Sequence, residues 1–282
     1  MKTILMLTDF SETANHAVSY LSSIVGQLGT EQIILYHSVH VGHPDMIMVT
    51  DVLVPVPSER YKLYKVARVE LESIKTRLDL SIAKNLSVEI ITDDRPVTKA
   101  VEEIVSLQHV DLVVLGLRGT HDEGKNSVGR IPAHLMTRHD FPLLIIPSLA
   151  PLGQVNSIML ACELKDISDR LPAVQLTAIV KAFHASFYVV HVDRQEITDS
   201  NGLLKEQSDL HRLLAELQPE FHDVQNKDVV SGLLEFADQY QIDLMVAIPK
   251  HRGLLERLFH ESATKKLAIK ATKPLLLLHK NN

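Results

Sequence analysis

The same order of apolar runs and helical segments occurs twice along this chain. DLVVLG at 111–116 and FPLLIIP at 141–147 have counterparts in DLMVAI at 243–248 and KPLLLLH at 273–279. Within these runs Asp111 and Asp243 are 132 positions apart, and Pro142 and Pro274 are separated by the same distance. An unchanged offset means that neither copy has gained or lost residues between the two runs. The simplest account is a duplication that produces two homologous domains.

Each copy alternates strand-length apolar runs with segments of helical period. The run Lys2–Thr8 is followed by Glu12–Gly29, where apolar residues recur at the spacing i, i+3, i+4, i+7 of an amphipathic helix. Ser11 stands at the N-cap position of that helix, and Gly29 at the position of a C-terminal glycine. Continuous apolar strands with helices between them indicate a parallel sheet covered on both faces. We predict an α/β fold with two tandem five-stranded, Rossmann-like domains.

The remaining first-half elements and the boundary follow from the same patterns. A Pro-rich loop carrying Pro44, Pro55 and Pro57 separates the second strand from the second helix. We predict strands at 33–39, 86–92, 111–116 and 141–147, and helices at 59–80 and 97–107. The segment SLAPLGQVN at 148–156 breaks both periods. We therefore expect one domain at 1–149 and the second at 155–282.

Composition narrows the classes of function. Hydrophobic residues make up 45% of the 282 residues and charged residues 23%, as is typical of globular proteins. The net charge of −6 gives no electrostatic footprint for nucleic acid. No apolar run approaches the roughly 18 residues of a spanning helix, and the apolar N-terminal stretch is too short for a signal peptide. With Cys162 as the single cysteine, no intrachain disulfide can form. We expect a cytoplasmic protein with neither nucleic acid nor a membrane as partner.

Three glycines follow the fourth strand in a spacing that suits phosphate binding. Gly116-Leu-Arg-Gly119 is followed by nine residues and then by Gly129-Arg130. Glycines after a parallel strand let backbone N–H groups approach a phosphate, and a helix beginning near Gly129 would add its positive N-terminal end. The alternative is that these are turn glycines only. The strand context and the spacing favour a nucleotide site.

On these residues the chain resembles the universal stress protein superfamily, in a tandem form with the adenine nucleotide alpha hydrolase-like fold. Nucleotide-binding members carry G-x-x-G, nine residues and then Gly with Ser or Thr, and an Asp-x-Ser pattern after the first strand, here Asp9-Phe10-Ser11. The resemblance implies a stress-response or regulatory protein that binds ATP or AMP, with or without Mg²⁺, through its first domain. The binding residues implied by the resemblance are Leu7, Thr8, Asp9, Ser38, Leu115, Gly116, Gly119, Gly129, Arg130 and Ile131.

This sequence departs from the superfamily pattern in both halves. Arg130 stands where the pattern has Ser or Thr, and its guanidinium could hold a phosphate or fill its place. At the 132-residue offset the three glycines become Ile248, His251 and Glu261. Separately, Glu163, which follows the first strand of the second half, corresponds to Asp9. We expect no nucleotide in the second domain, which then acts as the partner in an intramolecular pseudo-dimer. A homodimer of the whole chain stays open.

Other functions stay open beside nucleotide binding. With both pockets degenerate, the chain would be an interaction or scaffold protein. A slow ATPase or a nucleotidyl transferase is a further alternative, although no residue is an obvious general base and no catalytic residue is assigned. The sequence GTHDEGKN at 119–126 is close to a Walker A loop but places Asn where Ser or Thr is required.

A loose metal-binding pattern follows the second strand. His37, His40, His43 and Asp45 lie within nine positions, and imidazole and carboxylate are both ligands of Zn²⁺. The spacing matches no strict motif, and His37 has a strand counterpart in His191. The competing interpretation is a strand histidine followed by two loop histidines, so we leave a metal site open.

Overall fold

The computed structural model describes residues 1–39, 46–49, 52–55, 57–81, 86–117, 130–138, 141–193, 200–249 and 263–280. The strands of the first half are β1 (Thr3–Leu7), β2 (Gln32–Ser38), β3 (Met46–Val49), β4 (Val52–Pro55), β5 (Ser87–Asp93), β6 (Leu112–Leu117) and β7 (Leu143–Pro147). Its helices are α1 (Glu12–Leu28), α2 (Pro57–Ser81), α3 (Val97–Leu107) and α4 (Arg130–Arg138).

The second half has the same alternation. Its strands are β8 (Ser157–Ala161), β9 (Ser186–Asp193), β10 (Glu220–Gln225), β11 (Leu244–Ala247) and β12 (Leu275–Leu277). Its helices are α5 (Ile167–Arg170), α6 (Ala173–Phe183), α7 (Ser200–Leu214), α8 (Val229–Gln239) and α9 (Ala263–Lys270), with a 3₁₀ turn at Ala215–Leu217.

Ten of these strands form one mostly parallel sheet. Its order is β10-β9-β8-β11-β12-β7-β6-β1-β2-β5, so the second half is the mirror order of the first. Pairing is parallel within each half, and β7 meets β12 antiparallel, with Leu275 opposite Ile145 and Leu277 opposite Leu143. The predicted α/β fold with two five-stranded parallel halves is confirmed. The two halves are joined edge to edge in a single continuous sheet.

Helix α1 forms as its sequence predicts. The Ser11 hydroxyl accepts a hydrogen bond from the Ala14 N–H at 3.2 Å, which satisfies one of the free donors at the helix start. Gly29 ends the helix with a φ of 62°, in the left-handed region that glycine adopts without steric cost. The apolar side of the helix, including Ala17 and Leu21, is fully buried against the sheet.

Both faces of the sheet are covered by helices. One buried cluster joins the first face of the sheet to residues of α1, α2, α6 and α7, and the other joins the second face to residues of α3, α4, α8 and α9. Each cluster contains residues of both halves. Burial of the strands on both faces explains why they read as continuous apolar runs in the sequence.

One aspartate in each half holds the start of a central strand. The Asp111 Oδ2 accepts hydrogen bonds from the N–H groups of Lys2 at 2.6 Å and Thr3 at 3.1 Å. The Asp243 Oδ2 accepts from the N–H groups of Asn156 at 2.9 Å and Ser157 at 3.0 Å. The residues that define the sequence offset therefore have the same structural role in the two halves.

The segment between the halves lies along α1. The His16 Nε2 donates to the carbonyl oxygen of Ala150 at 2.8 Å. About three turns further along α1, the Gln27 amide donates to the Val155 carbonyl at 3.0 Å and accepts from the Val155 N–H at 2.9 Å. These contacts fix the linker against the first half.

The structure adds detail that the sequence did not predict. The Pro-rich loop contains a β-hairpin, in which β3 and β4 pair antiparallel with Val49 opposite Val52. Helix α2 begins at Pro57, two residues before the predicted start, because proline suits the first position of a helix. Among the described residues, no helix combines the length and the apolar character needed to cross a bilayer.

Candidate functional site

The direction of the chain through the sheet changes between β1 and β6. Strand β1 continues through α1 to β2 on one side, whereas β6 continues through α4 to β7 on the other. Where crossovers diverge in this way, the carboxyl ends of the two strands leave a crevice in which α/β proteins bind ligands. Thr8 and Asp9 follow β1 at this crevice, and Gly116 is the next-to-last residue of β6. The structure thus brings these three predicted residues to one edge of the sheet.

The loop after β1 is held by its own side chains. The Thr8 hydroxyl accepts from the Phe10 N–H at 3.1 Å, and the Asp9 Oδ1 accepts from the Ser11 N–H at 3.0 Å. Phe10 has a φ of 64°, a left-handed conformation that non-glycine residues adopt at a cost. Asp9 itself is exposed, and within the described part of the chain no group bonds its Oδ2. The loop therefore presents a fixed carboxylate with one oxygen available.

Asn15 supports this loop from the first turn of α1. Its amide nitrogen donates to the carbonyl oxygens of Phe10 and Ser11, both at 3.1 Å. Its amide oxygen accepts from the Arg77 guanidinium at 2.8 Å. Arg77 belongs to α2, so a residue 62 positions away in sequence orients the side chain that orients the loop. Neither residue belongs to the set implied by the family pattern.

His37 packs beneath the same loop. The ring lies 4.3 Å from the Phe10 ring, centroid to centroid, and its Nδ1 donates to the Thr8 carbonyl at 2.8 Å. His191 makes the equivalent contact, with Nδ1 3.2 Å from the Cys162 carbonyl. The competing interpretation of His37 as a strand histidine thus accounts for its contacts. The described residues contain no group of three His, Cys, Asp or Glu that could hold a metal ion. His40, His43 and Asp45 lie outside those residues.

A charged cluster fixes the end of β2 beside the crevice. The Ser38 hydroxyl donates to the Arg95 carbonyl at 2.7 Å. The Asp93 carboxylate accepts from the Tyr36 hydroxyl at 2.9 Å and from the Arg95 Nε at 2.7 Å, and Arg95 also pairs with Glu103. Burial and the hydrogen bond to Asp93 raise the pKa of Tyr36 well above its ordinary value. The polar sequence TDDRP at the end of β5 is the signal that could have predicted this cluster.

Gly116 has a packing role that its position in the motif did not suggest. A Cβ at this residue would lie 2.6 Å from the Thr13 carbonyl oxygen, closer than real Cβ contacts come. The absence of a side chain is what allows the first turns of α1 to lie against β6. Leu7 and Leu115, also implied by the family pattern, are buried in the cluster on the other face. The approach of Gly116 to a phosphate stays a prediction.

The phosphate end of the predicted site is described only where α4 begins. Gly119 and Gly129 lie outside the described residues. Arg130 is the first residue of α4, whose first turn contains no acidic residue, and Ile131 is 40% exposed. The start of α4 lies after β6, as the glycine pattern predicts, and the positive end of a helix favours anions there.

Comparison with known proteins places the chain in a family. Residues 1–147, more than half of the chain, match the family model of the universal stress protein family. The chain belongs to the universal stress protein family. A search of the curated proteins gives no match.

Several solved structures share the fold over almost the whole chain. A universal stress protein from Archaeoglobus fulgidus is similar with a TM-score of 0.74 at 14% identity, and the match covers 99% of this chain and 98% of that one. A functionally unknown protein from Pseudomonas aeruginosa PAO1 matches at a TM-score of 0.58 and 11% identity, over 99% and 92%. The cytoplasmic domain of a prokaryotic cation chloride cotransporter matches at 0.54 and 10%, over 99% and 95%.

The second half of this universal stress protein builds the equivalent crevice differently. Helix α5 has four residues and ends before Pro172, whereas α1 is continuous over 17. The N–H of Ile167 at the start of α5 donates to the Glu206 carboxylate at 2.7 Å. Glu163 lies 3.8 Å from Arg170, and Ile248 replaces Gly116. Around this second crevice, the Ile167 N–H and the Arg170 guanidinium thus already face the carboxylates of Glu206 and Glu163.

Proposed function

We propose that this universal stress protein binds an adenine nucleotide, ATP or AMP, in the crevice between β1 and β6. The observation that carries the proposal is the preformed loop at the switch point, where Asp9 is exposed with Oδ1 held and Oδ2 available. A loop that is already in its binding conformation loses little entropy when the ligand arrives. The family role that goes with such a site is stress response or regulation.

The chemistry of Asp9 determines which part of the ligand it can accept. A carboxylate accepts hydrogen bonds and repels phosphate, so it suits the hydroxyl and amino groups of the nucleoside. The phosphates then belong at the opposite side, toward the glycine loop and the start of α4. Ser38, at the end of β2, borders the nucleoside side. Leu7, Thr8 and Leu115 complete the nucleoside end of the proposed site, and Gly116, Gly119, Gly129, Arg130 and Ile131 complete its phosphate end.

The second half is proposed to bind no nucleotide. Its crevice places Glu163 where Asp9 stands, and Glu206 already accepts the N–H at the start of α5. An added anion would meet these carboxylates at close range. We therefore propose one nucleotide per chain, bound by the domain at 1–149, with the domain at 155–282 as its structural partner.

Titration of the purified chain with ATP, AMP and adenosine tests the proposal. We expect saturation near one equivalent per chain by isothermal calorimetry. Asp9→Ala should weaken all three ligands, and Glu163→Ala, its counterpart in the second half, should weaken none. Two equivalents of equal affinity would contradict the assignment to the first half. Absence of binding by the unmodified chain would contradict nucleotide binding altogether and favour the scaffold alternative.

A further inference from the structure

Helix α2 extends well beyond its contact with the sheet. Its buried residues are Ala67, Leu71, Ile74 and Leu78, and no described residue of the helix before position 67 is buried. A helix of 25 residues is about 37 Å long, whereas the seven-residue strand β5 spans about 23 Å. The described side chains of α2 before position 67, at 61–66, are therefore exposed or half-buried.

Large exposed apolar side chains are concentrated at 61–69 of α2. Tyr61 is 71% exposed, Leu63 44%, Val66 60% and Val69 63%. Single exposed apolar residues are ordinary on protein surfaces, but here four occur within nine positions. Three of the four, Tyr61, Val66 and Val69, share one side of the helix. Clustered apolar surface of this kind marks a contact with another molecule or with a membrane.

Unpaired cations lie between these apolar side chains. Lys62, Lys65 and Arg68 are exposed, and within the described part of the chain none of the three has a hydrogen bond or an ion pair through its side chain. With Arg60, the ten positions 60–69 carry four cations and no acid, in a chain whose net charge is −6. The other residues, which include Glu59, Glu70 and Glu72 of α2 itself, therefore sum to a charge of −10.

The apolar and basic residues share one side of the helix. A spacing of four residues relates Tyr61, Lys65 and Val69, and the same spacing relates Lys62 and Val66. These five residues lie on the side of the helix opposite its buried residues, which begin at Ala67. We call this set, together with Arg68 at its margin, the basic ridge. Long basic side chains interleaved with apolar ones can reach outward while the apolar groups enter a less polar layer.

We propose that the basic ridge binds the surface of an anionic lipid bilayer. Cations interleaved with apolar side chains match a negatively charged interface above an apolar layer. The acidic remainder of the protein is repelled by the same surface, so the ridge sets the orientation. A two-fold contact between two copies of the ridge would bring three cations against three, which is unfavourable. A nucleic acid would pair with the cations but would leave the exposed Val66 and Val69 without an apolar contact.

This proposal replaces the expectation from the sequence that no membrane is a partner. That expectation rested on the absence of an apolar segment long enough to span a bilayer. A helix that lies on the surface of a bilayer needs no such segment.

Co-sedimentation with lipid vesicles tests the proposal. Vesicles of phosphatidylcholine mixed with phosphatidylglycerol should bind the full chain, and vesicles of phosphatidylcholine alone should not. Lys62→Gln/Lys65→Gln/Arg68→Gln should lower the affinity about 100-fold, since each basic residue near such a surface contributes about 1 kcal/mol. The matched control Lys165→Gln/Lys205→Gln/Lys227→Gln removes three exposed lysines of the second half and should change little. Val66→Ser/Val69→Ser should weaken vesicle binding relative to the unmodified chain, and the difference should remain at high salt, where the charge contribution is screened.

Each contrary result has a definite meaning. No sedimentation of the unmodified chain with anionic vesicles, or an equal loss in the two charge variants, would overturn the proposal. So would a concentration-dependent dimer, or binding to duplex DNA, that the first triple variant abolishes in the absence of vesicles. Circular dichroism of all variants establishes that the fold is retained, since the changed side chains are exposed.

Discussion

Leu144 of β7 lies directly opposite Leu276 of β12, and the two residues are also equivalent in sequence, 132 positions apart. Their neighbours exchange places: Leu143 faces Leu277, and Ile145 faces Leu275. A local two-fold axis therefore passes between Leu144 and Leu276. Each half presents the same edge strand to the other, as the subunits of a symmetric dimer do.

The packing of Gly116 predicts a loss of stability on the smallest substitution. Gly116→Ala would place a methyl group 2.6 Å from the Thr13 carbonyl and force α1 away from β6, at a cost of about 2 kcal/mol. Gly26→Ala is the matched control, because open space surrounds Gly26 and alanine favours a helix by about 0.5–1 kcal/mol. Urea unfolding measures both. Equal stability of Gly116→Ala and the unmodified chain would refute the packing role.

The paired aspartates predict equivalent effects in the two halves. Asp111→Ala and Asp243→Ala should each lower the free energy of unfolding by about 1–2 kcal/mol, because each leaves two backbone N–H groups without an acceptor. Asp111→Asn keeps an acceptor oxygen and should lose less. Thermal unfolding monitors all three variants. A marked effect in only one half would show that the two carboxylates are not equivalent.

Asn15 predicts a loss of ligand affinity without direct contact to the ligand. Asn15→Ala removes the donors to the Phe10 and Ser11 carbonyls, so the Asp9 loop should bind adenosine and ATP about 5–10-fold more weakly. Asn15→Asp also removes these donors but retains the oxygen that accepts from Arg77. If Asn15→Asp binds as weakly as Asn15→Ala, the donors are responsible. Unchanged affinity in both variants would rule out the positioning role.

Arg130 predicts a difference between ATP and adenosine. If its guanidinium holds a phosphate, Arg130→Ala should weaken ATP by about 1.5–3 kcal/mol and leave adenosine almost unaffected. We expect this result, since a helix N-terminus supplies only about half a positive charge against the several charges of a triphosphate. Arg130→Ser restores the hydroxyl of the family pattern. Tighter ATP binding by that variant would mean that Arg130 blocks the site.

The burial of Cys162 predicts that its thiol is protected from alkylation until the protein unfolds. Burial raises the pKa of the Cys162 thiol to about 12, with the nearby Glu163 carboxylate adding to the effect. Iodoacetamide at pH 8 should therefore label the denatured chain and spare the native one. Above about pH 8.5 the unfolded thiol ionises first, so this group lowers the stability progressively toward pH 12. Rapid labelling of the native chain would contradict the burial of Cys162.

The sequence alone was sufficient to predict the secondary structure where local sequence patterns and burial agree. Helix α1 with both caps and helix α3 at Val97–Leu107 follow the prediction, because caps and helical period act within a few residues. The sequence of strand β10, EFHDVQ, contains no apolar run that would predict a strand. This strand lies at the edge of the sheet, and its residues are exposed or half-buried. Its position depends on pairing with β9 rather than on its own sequence.

The site was predictable only in part, for a similar reason. Asp9 and Ser38 were named from the family resemblance, but the Arg77 contact with Asn15 joins residues of two different helices. The clash that excludes a side chain at Gly116 involves a backbone atom 103 positions earlier, Thr13. Such contacts depend on tertiary packing, which no local period encodes.

The antiparallel joint between β7 and β12 has a consequence for how this protein behaves on dilution. Two separate chains that share such an edge must find each other by diffusion, and they separate when their concentration falls. Here the linker that runs along α1 keeps the second edge strand permanently within reach of the first. The ten-stranded sheet therefore closes in a unimolecular step, and its integrity should not depend on how many copies a cell contains.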